Sequence, residues 1–162
     1  MEKIFVGKIV GTFGVKGEVK VVTSFEAPER VFVTNKKIYV GDEEHLITGV
    51  KKQKENYIIE LDNIKDINLV ENFRKKNVFT TRENLSLGEN DYLVTELIDY
   101  KLYEGDYFIG SVTSVSANKV NPLLRVNDLF YVPLNDNFID KVDKDKKIIE
   151  GHNLKGFLLK WK

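Results

Sequence analysis

The chain has 162 residues, enough for one domain or two small ones, and its 42% hydrophobic and 31% charged content is ordinary for a globular protein in water. Its 25 basic and 25 acidic side chains cancel, which argues against wholesale polyanion binding. The absence of cysteine excludes disulfides, thiolate-bound zinc and thiol catalysis and fits a cytoplasmic chain, and no apolar run approaches the roughly 20 residues that span a bilayer.

Met1-Glu2-Lys3 leads straight into a strand-like run, without the apolar core of a signal peptide. Ile4, Val6 and Ile9-Val10 alternate with Phe5, Gly7 and Lys8, and Val19 and Val21 alternate with Glu18 and Lys20. Between these runs lies the most patterned segment of the chain, Gly11-Thr12-Phe13-Gly14-Val15-Lys16-Gly17-Glu18, with glycine at every third position. A dinucleotide loop must open a helix, and a phosphate loop needs Gly-Lys followed by Ser or Thr. Here Lys16 precedes Gly17, and an alternating strand follows, so no helix N-terminus is available to hold an anion. Two readings stay open. Gly11, Gly14 and Gly17 shape a wide hairpin connection inside a barrel, or the loop presents Phe13 and Lys16 to RNA, a ring and a cation together.

Proline and an acid in Ala27-Pro28-Glu29-Arg30 predict a short helical turn. Lys36–Val40, His45–Val50, Tyr57–Leu61 and Asn77–Thr81 read as strands bounded by turn clusters. Ile67, Val70 and Phe73 predict a helix over Asp66–Lys75, with Asp66 or Asn68 as its N-cap. Residues 83–90 are polar and aperiodic and read as a linker between a first domain, 1–82, and a second, 91–162. Strands are expected again at Tyr100–Tyr103, Tyr107–Val115, Leu123–Val126, Phe130–Val132 and Lys147–Ile149. Turns are expected at Glu104-Gly105-Asp106, Asn118-Lys119 and Asn127-Asp128. Leu134–Ile139 and Leu154–Leu159 are apolar segments without a clear period. Two β-rich units of short strands predict a mainly β protein made of two small barrels, since closure removes exposed edges.

Little points to catalysis. Asp140, Asp143 and Asp145 lack the glycine and glutamate of a calcium loop and read as a solvated turn. His45 and His152 stand in no nucleophile or metal motif and read as surface or turn residues. No cofactor is implied. The cations Lys51, Lys52, Lys54, Arg74, Lys75 and Lys76 read as solvated strand edges or, with Lys8, Lys16 and Lys20, as one electropositive face of the first barrel, and the tyrosines from Tyr92 to Tyr107 as barrel core or a protein interface.

Gly7-Lys8-Ile9-Val10-Gly11-Thr12-Phe13-Gly14-Val15-Lys16-Gly17-Glu18-Val19-Lys20-Val21 resembles the N-terminal signature of the bacterial ribosome maturation factor family RimM. Val70 through Lys76 resembles the end of that family's first barrel, Tyr92 through Gly110 the entry to its second domain, and Val142-Asp143, Ile148 and Gly156-Phe157-Leu158 its C-terminal end. Phe13 stands where relatives often carry histidine. Tyr92-Leu93 replaces a pair of aromatics, Glu96-Leu97-Ile98-Asp99 an acidic segment ending in glycine, and Asn121-Pro122 an Asn-Asp turn. The resemblance implies a six-stranded, translation-factor-like N-terminal barrel and a C-terminal PRC-type barrel. It also implies a monomeric, non-enzymatic cytoplasmic factor for assembly of the small (30S) subunit head and processing of 16S rRNA. The implied partners are the head protein numbered nineteen, the pre-30S particle and its RNA, with no membrane. Tyr92 and Leu93 are the implied protein contacts, and Phe13 and Lys16 the RNA or pre-subunit contacts. A stand-alone small-barrel RNA-binding module is the alternative. A phosphate-handling enzyme, the third reading, rests on the glycine loop alone.

Overall fold

Alternation along the chain becomes strand almost throughout a computed structural model that describes residues 2–118 and 120–160. The first unit, which runs to Glu89, contains β1 (Ile4–Phe13), β2 (Glu18–Val22), a one-turn helix α1 (Pro28–Val31), β3 (Lys37–Val40), β4 (Glu43–Gln53), β5 (Asn56–Leu61) and β6 (Asn77–Thr80). Its strands pair in the order β1-β2-β5-β4-β3-β6 and close into a barrel, because β6 pairs antiparallel with both β1 and β3; Phe79 faces Phe5 on one side and Tyr39 on the other. Register shifts between Phe5 and Gly7, Ile9 and Gly11, and Ile47 and Gly49 mark bulges in the two longest strands. Bulges bend and twist a strand, which lets ten or eleven residues wrap a small barrel. Val19 and Val21 pair with Ile59 and Tyr57, and all four are buried with Ile9, Ile38 and Ile47. Phe32, just past α1, stacks on Tyr57 at 4.8 Å.

The helix expected over Asp66–Lys75 is instead two 3-10 turns, Ile67–Leu69 and Glu71–Phe73. Asp66 does cap the first, accepting from the Asn68 N–H at 2.9 Å. Ile67, Val70 and Phe73 recur every third residue, which matches the period of a 3-10 turn. Leu69 points to solvent, and Lys75 has a positive φ of 68°, which stops continuation. Residues 83–86, expected as linker, are fastened to the first unit. Leu85 is buried, its carbonyl accepts from Arg30 at 3.2 Å, and that of Asn84 accepts from Lys36 at 3.0 Å.

The second unit, from Asn90, contains a 3-10 turn at Val94–Leu97 and the strands β7 (Lys101–Glu104), β8 (Tyr107–Ser116), β9 (Leu123–Val126), β10 (Phe130–Pro133), β11 (Ile139–Asp143) and β12 (Ile148–Gly151), followed by helix α2 (Lys155–Lys160). Here the expectation of two closed barrels fails. The strands form one open six-stranded sheet, β10-β9-β8-β7-β12-β11, with β10 and β11 as unpaired edges. The β12–β7 pair is parallel and the rest antiparallel. Closure would require β10 to pair with β11. Pro133 ends β10 without an N–H to donate, and Asp140, Lys141 and Asp143 put charge along β11, both devices of an edge strand. Asp140–Asp143, expected as a solvated turn, is therefore largely strand. The core is Leu97, Leu102, Val112, Leu124, Val132 and Ile149 with their neighbours, onto which Phe157 of α2 packs. Lys119 of the expected Asn118-Lys119 turn lies outside the described residues.

Candidate binding surfaces

In the first unit, β1 and β2 stay paired up to Phe13 and Glu18, so the glycine segment is a hairpin whose four-residue tip is Gly14-Val15-Lys16-Gly17. This is tighter than the wide connection expected. Gly14 and Gly17 have φ of 66° and 88°, angles that glycine alone adopts without strain. Gly14 has open space around it. A Cβ at Gly17 would stand 2.7 Å from the Ile64 carbonyl oxygen and 3.1 Å from the Asp66 nitrogen, so the tip lies directly on the 64–66 backbone. Gly11 lies within β1, opposite Lys20 and beside a bulge, where a Cβ would come 3.2 Å from the Arg74 guanidinium.

The seat under the tip is built by polar groups of β4. Asp62 and Asn63, both at positive φ, turn the chain after β5. Asp62 accepts from the Leu46 N–H at 2.8 Å and lies 2.6 Å from His45 Nδ1, while the Asn63 N–H donates to Thr48 at 3.0 Å. Burial pushes the Asp62 carboxyl up, but the His45 and Leu46 hydrogen bonds outweigh it and hold the group below its usual value. His45, expected as an ordinary surface residue, has a side chain only 10% exposed and sets its ring edge-on to Phe73 at 4.9 Å. A histidine at the start of a strand gives no sign of a partner 17 residues away.

At the tip, Phe13 is half-buried and Lys16 exposed. Val15, which the sequence reading passed over, is 77% exposed and is the tip's most prominent apolar group. Several nearby cations already have partners: Lys51 with Glu18 at 3.3 Å, Arg74 with Glu71 at 3.3 Å, and Lys65 with Glu60. The hairpin thus offers an apolar residue and a cation on a rigid seat.

In the second unit, Tyr92 and Leu93 separate in role. Leu93 is 4% exposed, and its N–H donates to the Glu96 carboxylate at 2.6 Å at the head of the 3-10 turn. Its side chain cannot meet a partner, because it is used in packing. Tyr92 is half-buried against the core and lines a polar cleft of about 270 Å³ with Asn90, Leu134, Asn135, Asp140 and Val142. Burial raises the Tyr92 hydroxyl above its usual value, so it remains a neutral donor. The Asp91 carbonyl accepts from Lys144 at 2.8 Å, which ties this segment to the β11–β12 turn. His152 pairs with Asp140 at 2.8 Å on the surface. Among the described residues no three His, Cys, Asp or Glu side chains stand together as metal ligands, and no helix is long and apolar enough to cross a membrane.

Residues 4–85 match the family model described as the RimM N-terminal domain. The chain belongs to the RimM family. Among RimM relatives, the ribosome maturation factor of Clostridium beijerinckii is 34% identical over 149 residues, covering 89% of this chain and 90% of that one. The ribosome maturation factor of Fusobacterium nucleatum is 27% identical over 157 residues, covering 91% and 90%. A solved structure from Pseudomonas aeruginosa, titled a putative 16S ribosomal RNA processing protein RimM, is 15% identical with a TM-score of 0.48, covering 93% of this chain and 96% of that one.

Proposed function

We propose that this chain is an accessory factor for assembly of the small ribosomal subunit and processing of its 16S RNA, acting by binding and without catalysis. The observation that carries the proposal is RimM membership, with relatives named ribosome maturation factors aligned along about nine-tenths of both chains. The finer reading is that the factor works as a monomer in the cytoplasm. It docks on the small-subunit head protein numbered nineteen, free or in the pre-30S particle, through the second unit. Tyr92 is the proposed contact because it keeps exposed surface beside a cleft with polar walls, and tyrosine combines ring area with a hydroxyl donor. Leu93 positions Tyr92 from the core. Phe13 and Lys16, with Val15 between them, are the proposed contacts to the pre-subunit.

The test has two arms. In calorimetry, the purified chain binds the purified head protein, and Tyr92→Ala weakens that binding about tenfold, the size of a modest hot spot. Thermal unfolding of the variant stays within a few degrees of wild type. In cells, depletion slows maturation of the subunit head and raises the share of unprocessed 16S RNA. No complex and no maturation defect would refute the proposal; a Tyr92→Ala protein that loses binding and folding together would make Tyr92 structural.

A further inference from the structure

The two open edges of the second sheet differ. Edge β11 carries Asp140, Lys141 and Asp143, the charges by which proteins keep an edge from pairing. Edge β10, Phe130-Tyr131-Val132-Pro133, carries none. Beside it lies an apolar groove of about 540 Å³ lined by Leu129, Phe130 and Tyr131 on one wall and Phe138, Gly156 and Phe157 on the other. Consecutive residues of a strand point to opposite faces, so a groove lined by both Phe130 and Tyr131 runs along the edge itself rather than over one face.

The register says what that edge presents. Leu134 donates to the Pro122 carbonyl across β10–β9, and Val132 faces Leu124 two residues before. Antiparallel pairs alternate between bonded and non-bonded, so Tyr131 and Pro133 turn their backbone groups outward. Pro133 has no N–H. The edge therefore offers one complete docking rung, the N–H and C=O of Tyr131. On the Tyr131 face, Arg125 lies over the ring at 5.5 Å and donates to the Asp128 carbonyl at 2.9 Å, but it has no carboxylate partner among the described residues, and its buried Nε has no hydrogen-bond acceptor. On the other face, Phe157 stacks on Phe130 at 5.6 Å and meets Phe138 edge-on at 5.5 Å, a rigid aromatic wall.

We infer that β10 is a strand-addition site that takes an extended segment of a partner protein. The residue opposite Tyr131 makes both main-chain bonds. Its two neighbours are apolar and enter the groove against Phe138 and Phe157, and a carboxylate on the Tyr131 face answers Arg125. This is the usual economy of strand addition, with main-chain bonds for affinity and pockets for alternate side chains. A second copy of this chain is the poorer occupant. Its β10, Phe130-Tyr131-Val132-Pro133, has no carboxylate to answer Arg125, and Phe130 and Val132 are already buried in its own core.

The inference rests on the proposed docking to the head protein, and that purified protein is the probe. Gly156 is the place to block the groove, because a Cβ there meets nothing within 4 Å and alanine is a better helix former than glycine. Gly156→Glu should lose at least tenfold in affinity while Gly156→Ala binds as wild type, with unfolding midpoints of both at or above wild type. In the wild-type complex the Tyr131 amide should exchange at least tenfold more slowly than in the free chain. Gly156→Glu binding within twofold of wild type, or an unprotected Tyr131 amide, overturns the inference. If Tyr92→Ala then still weakens the complex, docking by the Tyr92 cleft alone stands. Protection of Tyr131 in the free chain together with sedimentation as a dimer makes a second copy the occupant and also overturns it. A wild-type chain that does not bind the head protein removes the wider reading, and this one with it.

Discussion

At Gly14 and Gly17 the same residue type is required for different reasons. Gly14→Ala meets only the left-handed backbone penalty and should lose about 1 kcal/mol. Gly17→Ala adds a clash with the Ile64 carbonyl and should lose at least about 2 kcal/mol, a difference urea titration resolves. Equal losses would mean that the tip is not seated on the 64–66 backbone. Asp62, in that seat, gives the tip a pH dependence. Its folded-state pKa is held below the unfolded value of about 3.9, so its contribution to stability is complete above that value and is lost as pH falls through the folded one. The difference in stability between wild type and Asp62→Asn should thus be full from about pH 5 upward and shrink below about pH 4. A gap that stays constant down to about pH 2 would show that the carboxylate's charge is irrelevant.

At the scale of elements, the tie between β7 and α2 is testable. One oxygen of Glu104 accepts from the Leu154 N–H at 2.7 Å and the Lys155 N–H at 3.2 Å, capping a six-residue helix from a strand 50 residues earlier. Glu104→Ala should lose about 1 kcal/mol, as other caps do, and speed amide exchange in α2 before it does so in β7. Uniform acceleration across the sheet would contradict a local cap. Such a cap is invisible in sequence, where Asn153 just before Leu154–Leu159 is the local capping type and nothing points to a carboxylate 50 residues earlier. The strands were legible because Val, Ile and Tyr alternate between turn residues, and that signal is local. The open second sheet was not, because closure depends on which distant strands meet. Tyr92 and Leu93 were likewise indistinguishable, two adjacent large side chains of which packing buries one and leaves the other at a cleft. The 3-10 turns at 67–73 could have been read from their period of three.

For the whole molecule the deciding quantity is charge. The chain is formally neutral, and three cations of the first unit, Lys51, Lys65 and Arg74, are each engaged by a carboxylate, which lowers the positive field a phosphate would meet. Each phosphate neutralised by a protein cation steepens the loss of nucleic-acid binding with salt, and six to ten contacts cost about a thousandfold or more between about 50 and 200 mM. A factor that recognises the particle through a protein component and touches RNA with Lys16 and one neighbour should lose no more than about tenfold over that range. Its binding to naked 16S RNA should be weak throughout, while its retention on immature subunits persists. Filter binding on the RNA and co-sedimentation with the particle, run at both salts, give the two numbers. A loss of a hundredfold or more, with tight binding to naked RNA at low salt, would mean that the cations converge on a phosphate track despite their ion pairs. The chain would then act as a stand-alone RNA-binding module, and the particle would need no protein contact to hold it.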